Sequence, residues 1–232
     1  MQHEHDYLNV GPAELEGTTL AALIARQKKP LRVCDVDFSE HDFSRMNLSG
    51  VRFERCLFHG ADFTAADLSN SQWHSCRAAH AVFRSAVLEE ARFVNSDLNN
   101  TAWQRSKLAH AAFDGCKLTG ASFADSATLG LAFRDCVLRS ACLSGISFYK
   151  SELYNLDFAD ADLSYCDFRH AVFTEGGSLT AARVNNARFD GADLREASLH
   201  GLRLVDAKLF KGATISRAQA SMLLAGLGLQ VL

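Results

Sequence analysis

Phe, Leu or Trp stands at every fifth position from Phe38 to Phe173, with Ala78 and Thr128 the only exceptions. Neither an amphipathic helix nor an alternating strand has a period of five. The pattern marks an internal repeat. Beyond Phe173 the series slips by one residue and resumes at Val184, Phe189, Leu194, Leu199, Leu204 and Leu209. The extra residue falls within 174–180, where Gly176 and Gly177 tolerate unusual backbone angles. Phe210 is the one phenylalanine off the beat.

A second column of small residues runs two positions ahead of the first. Ala61, Ala66, Ser71, Cys76, Ala81, Ala86 and Ala91 begin it, and Ala182, Ala187, Ala192 and Ala197 carry it on. A small residue and a large one, both inward, with polar residues between and after them, describe a chain that turns back toward a narrow axis in each pentad. The intervening residue, as in Asp62, Asp67, Asp97 and Asp162, must face outward.

The runs "ADFTA", "ADLSN", "SDLNN" and "ADLSY" quote this motif, and through them the chain resembles the pentapeptide-repeat family over roughly residues 34–215. The resemblance implies an all-β fold, a right-handed quadrilateral β-helix with four pentads per coil and the large residues stacked inside. The expected organisation is an N-terminal cap with a short helix over 1–32, the β-helix over 33–215, and a helical C-terminal cap and dimerisation segment over 216–232.

Composition adds exclusions. The chain is 48% hydrophobic with no apolar run near the ~20 residues of a membrane helix, and Met1 leads into acidic residues and histidines instead of a signal sequence. A cytoplasmic protein without membrane contact is expected. Of seven cysteines, Cys56, Cys76, Cys116, Cys136 and Cys166 fill the small-residue slot, where Cys is a compact apolar group. Of nine histidines, His59, His74, His80, His110, His170 and His200 sit at outward positions on different faces without metal-ligand spacing. With no phosphate loop or nucleophile elbow either, no cofactor, metal or catalytic residue is expected, and the protein is read as a non-enzyme.

The two ends break the repeat, as a solenoid must to cover its terminal edges. Thr18 or Thr19 can cap a helix through Leu20, Leu23 and Ile24 to Lys28, stopped by Pro30. Its basic group, Arg26, Lys28, Lys29 and Arg32, reads as a solvated helix end, so direct nucleic-acid binding is not expected. Ser216 can cap a second helix carrying Met222, Leu223 and Leu224, followed by Leu227, Leu229 and Val231. That apolar surface exceeds what a cap needs and predicts a homodimer interface formed by these six residues.

The segment "ISRAQASMLLAGLGLQVL" resembles the C-terminal module of the Qnr and MfpA members of the family, and "SATLGLAFRDC" resembles a mid-rod segment of Qnr proteins. That resemblance implies a dimeric DNA mimic acting on a type II topoisomerase, DNA gyrase, and modulating or protecting it from inhibitors such as quinolones. The unbroken beat leaves no room for the projecting loops of Qnr proteins and is closer to the loopless MfpA type.

Charge pulls the other way. DNA mimicry requires a strongly negative surface, yet 27 acids face 24 bases, a net of −3. The most acidic stretch carries Glu152, Asp157, Asp160, Asp162, Asp167 and Glu175 against Arg169 alone, and these six are the candidate partner-binding residues. From Arg183 to Arg217, bases outnumber acids seven to four. A scaffold, adaptor or chaperone that docks another protein on mixed-charge faces, with no topoisomerase role, therefore stands as the alternative.

Overall fold

The structure, a computed structural model, describes residues 7–27, 29–202 and 207–226. The fold class is a right-handed quadrilateral β-helix with short terminal helices. The chain divides into two compact units, Met1–Lys117 with Asp125–Ala132, and Leu118–Ala124 with Phe133–Leu232.

In the first unit, β1 (Leu8–Val10) precedes α1 (Leu20–Arg26), and then β2 (Leu31–Cys34), β3 (Arg52–Glu54), β4 (Gln72–His74), β5 (Arg92–Val94) and β6 (Ala112–Asp114) recur every twenty residues. Each strand pairs with the next in parallel and in matching phase, Phe53 beside Trp73 and Trp73 beside Phe93. Three further ladders of isolated bridges complete each coil. They run through Asp37, Leu57, Arg77, Asp97 and Lys117, through Asp42, Asp62, Val82 and Ala102, and through Asn47, Asp67, Val87, Lys107 and Ala127. Four ladders per twenty residues make the coil four-sided.

The five-residue step has a local cause. At most corners a tight turn closes, as where Ala66 N–H donates to the Phe63 carbonyl at 3.0 Å while Ala65 holds φ +58°; the corner after each strand keeps the positive φ, as at Arg55 and Ser75, without that bond. A positive φ at the third position is what a type II turn requires. The outward Asp of the motif completes the turn: Oδ1 of Asp62 accepts from Thr64 N–H at 2.8 Å, and Asp37, Asp42 and Asp67 do the same two residues ahead. These local bonds use N–H groups outside the ladder and explain the preference for Asp or Asn there.

Inside, like stacks on like. Phe43, Phe63, Phe83 and Trp103 form one column with ring separations of 4.9, 4.9 and 4.1 Å and planes within 7° of parallel. Where tryptophan replaces phenylalanine, the small slot two residues earlier supplies a hydroxyl: Trp73 Nε1 donates to Ser71 and Trp103 Nε1 to Thr101. Buried indole N–H groups need such partners. The slot cysteines are sealed by the same packing, and burial pushes the thiols of Cys56 up to about 11 and of Cys76 and Cys166 up to about 12. Ala78 is fully buried, whereas Thr128, the other break in the beat, is half-buried beside an exposed Leu129.

α1 is shorter than expected. Thr19 caps it by accepting from Ala22 N–H, and it ends at Arg26 with Gln27 as C-cap; Lys28 lies outside the described residues. β1 covers the open edge of β2.

The second unit contains β8 (Glu152–Tyr154) and β9 (Val172–Thr174), with β7 (Ala132–Arg134) ahead of them. Its other ladders run through Val137, Asp157, Ser178 and Ser198, through Ser122, Cys142, Asp162 and Arg183, and through Ser147, Asp167 and Arg188. The strand ladder runs Glu152, Val172, Asp193, Thr214. The spacing grows from twenty to twenty-one at Gly176 and Gly177, which hold φ +96° and +108°. A Cβ on Gly177 would come 2.8 Å from the Leu156 carbonyl oxygen, the acceptor of Ser178 N–H, so the extra residue is absorbed only by glycine.

Phe210, off the beat in sequence, is on the column in space. Its ring stacks on Phe189 at 4.7 Å, twenty-one residues on, and so closes the series Phe148, Phe168, Phe189. α2 (Arg217–Gly226) then packs over the end. Ser216 and Gln219 form a capping box, Ser216 N–H donating to Gln219 Oε1 at 2.6 Å and Gln219 N–H to Ser216 Oγ at 3.2 Å. The Gln219 amide nitrogen donates to the carbonyls of Leu194 and Ala197, both at 2.7 Å, tying the helix to the terminal coil.

Phe63→Ala, at the centre of the first column, is expected to cost about 3–5 kcal/mol in urea unfolding followed by circular dichroism.

Candidate functional site

The repeat turns its large residues inward, so the candidate site is the outward surface. Its geometry follows from the ladders, because residues twenty apart share a side of the coil and residues five apart do not. The six acidic candidates are strung along little more than one coil and therefore diverge. Asp157, Asp162 and Asp167 stand on three different ladders, Glu152 on the strand ladder, and Asp160 and Glu175 at two different corners.

Three of them are also occupied. Asp167 holds Arg169 in a two-point contact, Nε to Oδ1 at 2.8 Å and Nη2 to Oδ2 at 2.6 Å. Asp162 pairs with Arg183 at 3.2 Å and Asp157 with Arg139 at 3.8 Å. The arginine hydrogen bond holds the Asp167 carboxyl below its ordinary range, and for Asp162 bonds from Ser164 and the nearby Arg183 charge outweigh a desolvation that would raise it. Within the basic stretch, Arg188 and Arg195 likewise face Asp190 and Asp193.

One side of the second unit does collect acid. The strand ladder presents Glu152 and Asp193, and the corner that follows it presents Asp135, Glu175 and Glu196. Arg134 and Arg195 oppose them there, with Arg217 three residues past Thr214; Arg195 clasps Asp193 at 2.6 Å, and Arg134 lies over the Tyr154 ring at 3.8 Å. Asp135, Asp193 and Glu196 escaped the linear reading because they lie beyond the dense acidic stretch. Reading every twentieth residue, and every twenty-first across Gly176 and Gly177, finds them.

The first unit buries a charge cluster that the sequence did not suggest. Glu54, 5% exposed, receives Arg32 Nη2 at 2.7 Å and Arg52 Nε at 2.5 Å. Arg55 approaches at 3.8 Å while clasping Asp35 at 2.6 Å, and Cys34 and His74 flank Glu54 in register. Burial alone would raise the Glu54 pKa, but the Arg32 hydrogen bond and the Arg52 and Arg32 charges hold it below the ordinary range. His59 and His80, expected apart, meet with ring centroids 5.3 Å apart on one side of the coil. Among the described residues no group of three His, Cys, Asp or Glu side chains could hold a metal ion, and no helix is long and apolar enough to cross a membrane.

Of the expected dimer residues, Leu227, Leu229 and Val231 lie outside the described residues. Met222 turns toward the terminal coil, its sulfur 3.2 Å from His200 Nδ1, and Leu223 lines an apolar cavity of about 130 Å³ with Leu194, Leu199, Leu202 and Phe210. Leu224 is exposed.

Two family descriptions match the chain: a pentapeptide repeat region over residues 34–103 and 67–143, and pentapeptide repeats over 151–175 and 178–209. No curated protein sequence matches it. Among solved structures it is similar to a trypsin-treated variant of QnrB1, a plasmid-mediated fluoroquinolone resistance protein, at 24% identity and a TM-score of 0.74, covering 86% of this chain and 99% of that one. Full-length QnrB1 is similar at 22% identity and a TM-score of 0.74, covering 85% and 100%. At these identities the likeness is one of fold.

A carboxylate with a depressed folded pKa stabilises fully above its ordinary value of ~4.3 and loses that contribution as the pH falls through the folded value. Glu54→Gln is therefore expected to lower the melting temperature at neutral pH and to flatten its decline below about pH 4.3, read by thermal melts across an acid series.

Proposed function

This chain belongs to the pentapeptide-repeat family, and we propose that it is a non-enzymatic binding protein that engages a type II topoisomerase, DNA gyrase, in place of duplex DNA and lessens the action of inhibitors such as quinolones. The observation that carries this reading is the gathering of Glu152, Asp193, Asp135, Glu175 and Glu196 along one ladder and its adjoining corner in the second unit. Glu175 and Glu196 lie one coil apart, about 4.8 Å, while Val172 separates Glu152 from Asp193 and Asn155 separates Asp135 from Glu175; together they offer a basic groove anions at one- and two-coil intervals. Asp157, Asp160, Asp162 and Asp167 contribute from other sides of the coil, three of them already paired with arginine. The fold likeness to QnrB1, named for fluoroquinolone resistance, supports the choice of partner.

The protein acts as a homodimer through the C-terminal segment in this proposal. Leu224, exposed on α2, is the anchor, together with Leu227, Leu229 and Val231; Met222 and Leu223 shape the helix seat beneath it. The alternative, a scaffold that docks another protein, is favoured by the Asp157–Arg139, Asp162–Arg183 and Asp167–Arg169 pairs, which leave those sides mixed in charge.

Purified gyrase is expected to change its supercoiling rate, with and without a quinolone, when the protein is added; an unchanged rate over a wide concentration range would count decisively against the topoisomerase reading. Glu175→Lys combined with Glu196→Lys should weaken that effect, whereas Asp157→Asn should leave most of it. Leu224→Asp is expected to yield a monomer by light scattering with its β-sheet circular dichroism intact, and a monomeric wild type would dismiss the dimer.

A further inference from the structure

We propose that the second unit carries a separate docking surface for an acidic helical segment of a protein partner, on the ladder through Ser147, Asp167 and Arg188. Backbone hydrogen bonds set the layout. Lys150 N–H donates to the Arg169 carbonyl, His170 N–H to Asp190 and Gly191 N–H to Lys211. Lys150 and His170 therefore stand along one corner, and Tyr149, Arg169, Asp190 and Lys211 line up just before it. Arg188 occupies the ladder that leads to them. Four Lys and Arg residues and His170 thus share a side with two acids, Asp167 and Asp190.

At its centre the surface is preorganised. Arg169, fixed by its two-point contact with Asp167, lies over the Tyr149 ring at 5.1 Å, and Lys150 Nζ lies over the same ring at 5.1 Å. Tyr149 is 44% exposed, and Tyr165, 65% exposed, marks the opposite corner of the same side. Exposed Tyr and Arg held in one geometry are the residue types that dominate binding energy at protein interfaces. Arg188 is only loosely engaged, 3.7 Å from Asp190.

Charge and spacing choose the partner. Each successive coil carries one cation, Lys150, Arg169, Arg188 and Lys211 in turn, set in different columns with Asp190 between Arg169 and Lys211; the coils rise about 4.8 Å each, close to the ~5–6 Å between side chains three or four residues apart on a helix. A helix with Glu at such intervals can meet one coil with each turn. A nucleic-acid duplex is wider than a single side of the coil, and its phosphates would extend over the neighbouring strand ladder, where Glu152, Glu175 and Asp193 repel them. This surface is independent of the topoisomerase reading, which uses that neighbouring acidic side.

The test uses the full-length chain and two fluorescent tracers at low salt, a helical peptide with Glu at every fourth position and a DNA duplex of matched charge. Anisotropy should show binding of the peptide in preference to the duplex. Lys150→Glu with Lys211→Glu, and separately Tyr149→Ala, should weaken peptide binding about tenfold or more, while Glu175→Lys on the acidic side should not weaken it. Equal thermal melts across the variants establish that folding is intact. Failure to bind the peptide, tighter binding of the duplex, or peptide binding indifferent to the Lys150 and Tyr149 variants would each overturn the proposal.

Discussion

The coil depends on one residue in five accepting a left-handed backbone. Glycine does this without penalty at Gly60, Gly120 and Gly191, and Asn or Asp does it cheaply at Asn70, Asn95, Asp125 and Asp160. Ala65, Ala181, His80 and Tyr165 do it too, where each costs on the order of 1–2 kcal/mol. The fold tolerates that cost because every corner opens the way to a ladder in which N–H and C=O groups pair with the coils before and after, and to a slot that buries a large side chain. Strain is spread evenly around the coil, and the corner side chain is directed outward. The same constraint therefore makes the core and supplies the surface.

Much of this was legible in the sequence because core positions repeat every five residues, a short and local signal. The phenylalanines, the small slot, the cysteines within it and the glycine-bearing insertion all followed from counting. Phe210 did not, since its place on the column depends on a second twenty-one-residue step that the pattern of large residues conceals. Surface organisation was less legible for a definite reason: outward residues are neighbours at twenty, not at five. The acidic run from Glu152 to Glu175 looked like one patch and is wound around four sides, while Asp135, Asp193 and Glu196 join Glu152 and Glu175 across coils. Glu54 gave no warning at all, because its burial comes from arginines placed twenty-two residues before it and two before it. In α2 the three apolar residues in a row gave no means of telling Leu224, which faces out, from Met222 and Leu223, which face the terminal coil.

A small net charge had argued against an electrostatic function. In the second unit that argument weakens, because the balance of charge differs from one side to the next even though each side holds some ion pairs. Carboxylates gather on the strand ladder and its following corner, and cations on the ladder before it. What a partner meets is the local field of one side, and a total near zero is compatible with two strong fields of opposite sign. The Asp residues of the repeat motif contribute less to either than their number suggests, since each has an oxygen committed to the N–H two residues on.

The one extra residue at Gly176 and Gly177 shows how strictly these coils keep phase. Surplus chain is looped out at a glycine pair, so that Asp193 still lies beside Val172 and Arg183 beside Asp162. Within such a unit, duplication of twenty residues would lengthen the coil stack and leave every surface column intact. Duplication of five, though equally harmless to the core, would turn all later side chains by a quarter of a revolution and replace an acidic side with a basic one. Lineages of such coils can thus grow in whole coils without changing what they bind, and can exchange one binding side for another by a single pentad.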